Sequence, residues 1–444
     1  MNNSIYYIWL SEAIGGSYAL YKELVDAFGG VYEVYRAEGQ DYMRCSKRVQ
    51  NRIDALMNKD ISGACRISDY CVSSHIRMLC CDEAGYPSLL RQIEDPPIVL
   101  YVRGSMPDFE KRMHTAIVGT RKMTEYGKCV AYNLAYSLAK NGAVVVSGMA
   151  LGNDSVAMCA ALDAGGDTIG VLGCGVDIAY PKEHSSFMKN ILSSGGAVIS
   201  EYPPGTSAEP EYFIRRNRII SGLCRATVMV EGDMKSGALH TARFATSQTR
   251  ALYAIPGKLG ERSSEGTVHL LANGAKIAFS AVEILKEFVF LYRGMLDLRS
   301  YPDAESEEID SRLSARGVRS RAMPNVSDKK KAAETSYDRS ADKKERIGII
   351  DTISAALKKE KPTQKPSSSS EDEEKLRSIL QSLPKDVVEV YEKMPKGEIF
   401  FSDDAQSYGI SAQRFLMAVT LLEIKGLAQS FPGARFIIKD RLSD

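Results

Sequence analysis

The sequence predicts a doubly wound α/β fold on a mostly parallel sheet, with a small helical domain before it and a winged-helix-like domain after it. Two patterns predict the sheet. Through 115–278, short apolar runs recur, each followed by a small-residue turn and then a helical spacing of apolar residues. The runs are continuously apolar rather than alternating, as strands buried on both faces are, and such strands belong to parallel sheets with helices on either side. A third pattern bounds the block. The residues before it space their apolar positions for helices alone, and those after it lose apolar content.

The strands begin with Ala116-Ile117-Val118, which breaks at Gly119-Thr120-Arg121 before the helical positions Tyr126, Val130, Leu134 and Leu138. They continue with Val144–Val146, Thr168–Leu172, Ala197–Ser200, Thr227–Val230 and Leu252–Ile255, each ending in a glycine-, serine-, proline- or glutamate-bearing turn. In sheets of this kind ligands sit beyond the carboxyl ends of the strands, where these turns gather.

Upstream, Ile5, Ile8 and Trp9, then Leu20, Leu24 and Val25, then Val31 and Val34 recur at helical spacing, with Gly15-Gly16 and Gly29-Gly30 as stops. Residues 1–78 thus read as a helical domain. The segment 79–106 carries Tyr86-Pro87, Asp95-Pro96-Pro97 and a strand from Ile98 to Val102 that adds an edge to the sheet. The sheet domain is expected over 79–292, closed by a helix near 281–292.

A flexible charged linker is expected over 293–372, rich in serine, lysine, arginine and acids, with Arg312, Arg316, Arg319, Arg321 and Lys329–Lys331 making its first half basic. Residues 373–444 regain a core pattern. Three helices, one of them polar near 402–407 and one over 411–425, precede a hairpin of Leu427–Phe431 and Arg435–Ile438, the order of a winged helix. The recognition position offers only Gln413, Arg414 and Lys425, so a protein-contact role is as well supported as groove reading.

Composition narrows the function. A net charge of +1 gives no global field for nucleic acid, so any anion binding must be local. No apolar run is long enough to span a bilayer, and nine dispersed cysteines fit a reducing compartment, so a cytoplasmic protein is expected. Cys65, Cys71, Cys80 and Cys81 lie close in sequence around His75 but lack the short knuckle of a metal site, and read as buried thiols. No metal or cofactor is expected.

Three turns should converge on one crevice: Gly119-Thr120-Arg121, Ser147-Gly148, and Ser236-Gly237 ahead of a helix. Exposed amides and helix starts of this sort hold anions. Phe213-Ile214-Arg215-Arg216-Asn217-Arg218 adds three guanidinium groups, suited to phosphate, and a ring on which a base can stack. The rival chemistry is a hydrolase cutting the N-glycosidic bond of a nucleoside monophosphate with Asp154, Glu201 or Glu231, although these carboxylates can equally pair with the arginines. A dinucleotide fingerprint and a P-loop lysine are both missing.

Residues 79–280 resemble the DNA-processing protein A family. The resemblance is carried, in order, by Tyr86-Pro87, Asp95-x-Pro97, Val118-Gly119-Thr120-Arg121, Ser147-Gly148-x-Ala150-x-Gly152 with Asp154, Tyr180-Pro181, Ser200-Glu201, Phe213-x-x-Arg216-Asn217-Arg218, Glu231 with Ser236-Gly237, and Pro256-Gly257. It implies an extended Rossmann fold and a homodimer with no established catalytic activity. That dimer would bind single-stranded DNA, protect incoming strands in natural transformation and help load a RecA-type recombinase. It also implies a DNA pocket at Arg121, Ser147, Gly148, Phe213, Arg216, Asn217 and Arg218. The chain departs from the family pattern at Asn153, Met158, Ile214 and Val268.

Overall fold

The computed structural model describes residues 3–318 and, beyond them, parts of 379–438. The chain divides into two units, Met1–Tyr337 and Asp338–Asp444.

In the first unit six helices come first: α1 (Ser4–Ala13), α2 (Tyr18–Phe28), α3 (Val31–Arg36), α4 (Lys47–Gln50), α5 (Ile53–Met57) and α6 (Ser62–Ser73). Ser17 caps α2 by accepting from the amide of Leu20, and Gly29 ends it in the left-handed region. Then β1 (Ile76–Cys80), α7 (Ser88–Arg91) and β2 (Val99–Gly104) lead into the alternating block. Its strands are β3 (His114–Val118), β4 (Val144–Ser147), β5 (Thr168–Val171), β6 (Ala197–Ser200), β7 (Ala226–Met229), β8 (Ala251–Ala254) and β9 (Lys276–Ile277). Between and after them lie α8 (Glu125–Lys140), α9 (Asn153–Asp163), α10 (Ser185–Ser193), α11 (Pro210–Gly222), α12 (Ala238–Ser247), α13 (Glu265–Ala272), α14 (Ala281–Lys286) and α15 (Ser306–Ala315).

The sheet has nine strands in the order β1-β2-β6-β5-β4-β3-β7-β8-β9. β3 to β9 pair in parallel, while β2 runs antiparallel to β6 and to β1. The expected doubly wound sheet is therefore present. Its two faces can be read from one strand. Val144 and Val146 join a core shared with the N-terminal helices and α11, whereas Val145 joins the core under α8, α9 and α10. All three valines are fully buried, each contributing about 1.5–3 kcal/mol of apolar transfer.

From β3 the chain winds through β4, β5 and β6 on one side, then crosses to β7 on the other. The carboxyl ends of β3 and β7 therefore part from connections running in opposite directions, which opens a crevice there.

Two strands escaped the sequence pattern. β1 carries Arg77 and β9 has only two residues, both exposed, so neither shows an uninterrupted apolar run. The segment from Ile98 does join the sheet, but β1 lies outside it, so β2 is not the edge.

The expectation of a flexible linker from 293 is corrected over 293–318. That stretch is a strap across α8 and α9. Ile309, Leu313 and Val318 are buried in the core, buried Lys128 bonds Asp310 at 2.8 Å, and Arg316 pairs with Asp163 at 2.8 Å. Arg312, expected to be a solvated cation, bonds the Tyr132 hydroxyl and pairs with Glu308. A few well-placed residues anchor a segment whose average composition is polar. The rest of the expected linker, with Arg319, Arg321 and Lys329–Lys331, lies outside the described residues.

In the second unit a helix, Lys385–Lys393, places Val387, Val390 and Tyr391 in a core with Phe415, Val419, Leu422 and Ile438. Strands β10 (Ile399–Phe401), β11 (Ala428–Phe431) and β12 (Arg435–Ile438) form an antiparallel sheet in the order β10-β12-β11. β11 and β12 are the expected hairpin. The three-residue β10 is too short to show a period. The polar helix expected near 402–407 lies outside the described residues, as do Gln413 and Arg414.

Candidate nucleic-acid interface

The crevice at the β3/β7 divide has a volume of about 600 Å³. Its walls are the turn Gly119–Lys122, Asp154, Tyr180, one face of α11, and Ser236-Gly237 at the start of α12. Pro210 opens α11 at its first position, where the missing N–H costs nothing. The helical period then sorts the side chains. Phe213, Arg216, Asn217 and Ile220, spaced three and four apart, line the crevice. Arg215 and Arg218 lie on another face.

This sorting corrects the expected phosphate contacts of Arg215 and Arg218. Arg218 is buried and pairs with Glu201 at 2.7 Å and Asp95 at 3.2 Å. Arg215 donates to the carbonyl of Gly16 at 2.7 Å and reaches Glu201 at 3.4 Å and Asp95 at 3.7 Å. Both arginines fasten α11 to the strand end of β6 and to the N-terminal helices. Sequence neighbours did not reveal the two acids, which come from distant parts of the chain.

Arg216 faces inward and is buried. Its guanidinium donates to the carbonyls of Gly148, at 2.8 Å, and Val171, and its Nε to Asn217 Oδ1 at 3.2 Å. Asn217 in turn donates to the carbonyl of Gly237 at 3.3 Å, tying α11 to the start of α12.

The counter-charge to Arg216 is Asp154, buried in the first turn of α9. Its carboxylate accepts from the amides of Gly148, Ala150 and Gly119. Burial pushes the Asp154 pKa up, while Arg216 and these amides pull it back. For Arg216, burial outweighs the pull of Asp154 and, with Arg121 adding repulsion, brings its pKa down to about 10.

The expected anion-binding amides of Gly119 and Gly148 are therefore already taken by an internal carboxylate, a second correction. Gly148 has no room for a side chain, because a Cβ there would lie 2.6 Å from Asp154 Oδ2 and 2.7 Å from the Arg216 guanidinium. Ser147 is a third correction, since it is fully buried and its hydroxyl donates to the carbonyl of Ile117 at 2.6 Å, stitching β4 to β3. Thr120 lines the crevice, but its amide donates to the carbonyl of Glu231 and its hydroxyl accepts from the amide of Lys122. It shapes the turn.

The exposed cations of the crevice are Arg121 and its neighbour Lys122. The Arg121 guanidinium lies 5.9 Å from the Phe213 ring centre and that of Arg216 lies 5.8 Å from it. Tyr180 leans on the same ring at 4.7 Å. The result is an aromatic surface between one accessible and one buried positive charge. The sequence reading missed Lys122 and Tyr180. Lys122 was legible as the neighbour of Arg121, whereas Tyr180 arrives on the long loop after β5.

The three carboxylates of the hydrolase reading are each engaged. Asp154 and Glu201 face arginines. Glu231 is free of arginine, but it accepts from the amide and hydroxyl of Thr124, at 2.7 and 2.9 Å, at the start of α8. Burial raises its pKa from 4.5 to about 7. A folded value above the unfolded one means that this group favours folding below about pH 4.5 and that the benefit is lost as pH rises through 7. Glu231→Gln should therefore gain stability over the natural chain between pH 5 and pH 8 in urea unfolding. An equal difference at both values would refute this.

All nine cysteines are unpaired, and no group of metal-ligating side chains occurs among the described residues. Cys71, Cys80 and Cys81 are buried, and burial pushes the Cys71 thiol up to about 11.

Comparison with known proteins places this geometry. The family model described as DNA recombination-mediator protein A matches residues 77–289. The DNA processing protein DprA of Bacillus subtilis is 40% identical over 202 residues, 46% of this chain and 68% of that one. The DprA of Streptococcus pneumoniae is 38% identical over 205 residues, 46% of this chain and 72% of that one. The X-ray structure of the Streptococcus pneumoniae protein superposes with a TM-score of 0.56 at 30% identity, covering 65% of this chain and 99% of that one. Matched across its sheet, its crevice and the turns that shape them, the chain belongs to the DNA recombination-mediator protein A family.

Proposed function

We propose that the crevice binds single-stranded DNA without reading its sequence, and that the protein shields such strands and passes them to a RecA-type recombinase during natural transformation. The observation that carries this reading is Arg121, an exposed guanidinium beside the Phe213 ring at the point where the sheet's connections part. A cation next to a stacking surface suits a charged backbone with unpaired bases and is indifferent to which base it meets. Asn217 and the start of α12 complete the wall.

The protein is read as a binder, not an enzyme, because the carboxylates near the crevice are committed to arginines, amides or a hydroxyl. It would act as a homodimer in the cytoplasm, with the C-terminal unit as a winged-helix-like module. No helix among the described residues is long and apolar enough to cross a membrane.

Fluorescence anisotropy with labelled oligothymidine tests the reading. Arg121→Ala should weaken binding about tenfold and reduce the slope of log affinity against log salt by about 0.7, the value of one lost phosphate contact on a single strand. Binding by Arg121→Ala equal to that of the natural chain would remove the proposal.

A further inference from the structure

We infer that the strand does not end at the crevice but continues over the N-terminal helices, on a basic strip formed by Arg44, Lys47, Arg48 and Arg52. The inference extends the reading above and depends on it.

The strip is visible in the sequence and placed by the fold. Between Asp41 and Asp54 the chain holds four cations and no carboxylate. All four are exposed. Arg44 lies over the Phe28 ring at 4.5 Å and donates to the carbonyl of Ala27, which holds the first part of the strip against α2. Ser46, the cap of α4, donates through its hydroxyl and amide to Glu23, so this nearby acid is occupied by neutral donors. Lys47, Arg48 and Arg52 make no ion pair among the described residues.

Continuity with the crevice comes from one turn. Gly15 and Gly16, both in the left-handed region, join α1 to α2. A Cβ on Gly15 would lie 3.5 Å from the Arg52 guanidinium, and a Cβ on Gly16 would lie 3.2 Å from that of Arg215, which bonds the carbonyl of Gly16. Arg215 sits on α11 beside Arg216 in sequence but on the face turned away from the crevice. The exposed cations of the strip thus reach, through Arg52 and two residues without side chains, the outer face of the helix whose inner face walls the crevice, and a strand leaving the crevice would pass around α11 to meet them.

Glu201 and Asp95 neutralise Arg215, so the turn itself offers no surplus charge. Its contribution is bare backbone over which a sugar-phosphate chain can pass. The surplus charge lies beyond it, at Arg52, Arg48 and Lys47. Duplex DNA is too stiff to turn from a crevice over such a corner, whereas a single strand follows it.

The test uses the full chain with Arg48→Ala and Arg52→Ala combined, two exposed positions, against oligothymidines of 6 and 30 nucleotides. For the longer strand we expect about a tenfold loss of affinity and a salt slope reduced by about 1.4, two contacts at 0.7 each. For the shorter strand we expect no change, and Arg48→Lys with Arg52→Lys should retain most of the long-strand affinity. Unchanged long-strand binding, or equal losses on both lengths, overturns the strip while leaving the crevice intact. If Arg121→Ala leaves short-strand binding untouched, the crevice reading fails instead.

Discussion

Replacing Arg216 with alanine is expected to lower the unfolding free energy by about 3–5 kcal/mol, because two buried carbonyls lose a charged donor, each such bond being worth about 1.5–3 kcal/mol, and the buried Asp154 loses a nearby positive charge. Asp154 would keep its three backbone amides but lose the positive charge that offsets its burial. The carbonyls of Gly148 and Val171 would lose a donor as well. Urea unfolding followed through Trp9, the single tryptophan and buried in α1, reads the change. Asp154→Asn in the same chain should recover part of the loss, because the neutral amide no longer needs a counter-charge. The deficit of Arg216→Ala should also shrink as pH falls and Asp154 takes up a proton. A single variant as stable as the natural chain would mean that Arg216 neither satisfies those carbonyls nor offsets the buried charge of Asp154.

The second large effect is expected at Arg218, again about 3–5 kcal/mol on replacement by alanine. Glu201, whose side chain is 8% exposed, would be left with only the longer contact to Arg215. Asp95, which also accepts from the amide of Tyr18, would lose its link to α11. The N-terminal helices should loosen with it. Arg218→Lys should recover only part, since one ammonium cannot reproduce the fork between two carboxylates. Below saturating urea, the folded fraction should bind single strands as the natural chain does. Arg121→Ala should show the opposite pattern, with unchanged stability and weakened binding. Should Arg218→Ala instead leave stability untouched and abolish binding, the ion-pair assignment is wrong and Arg218 faces the ligand.

These two arginines also show what a sequence can and cannot disclose. The apolar runs at 116–118, 144–146 and 197–200 announce their strands because burial on both faces leaves nothing polar to interrupt them. The turns at their ends and the aromatic-arginine stretch were equally plain, and the fold gathers them at one crevice. What the string did not carry was direction around a helix combined with long-range partners. Arg215, Arg216 and Arg218 look alike in a row, yet a turn of 100° per residue sends one to the carbonyls of Gly148 and Val171 near Asp154 and two toward Glu201 and Asp95. Gly119 and Gly148 likewise look like open amides until Asp154 is seen to occupy them. The strap around α15 was hidden for a different reason. Ile309 and Leu313 are two apolar residues in a polar stretch, enough to anchor one helix but too few to register as a core.

That strap decides where the chain can be cut. The family match stops at residue 289, an inviting place to trim a fragment for crystallisation or binding work. Trimming there would take away Asp310, one of the two carboxylates that hold the Lys128 ammonium, the other being Glu125. It would also strip Cys159 and Tyr132 of their cover and leave the Asp163 carboxylate without Arg316. The smallest piece that keeps its own seams closed runs to Val318.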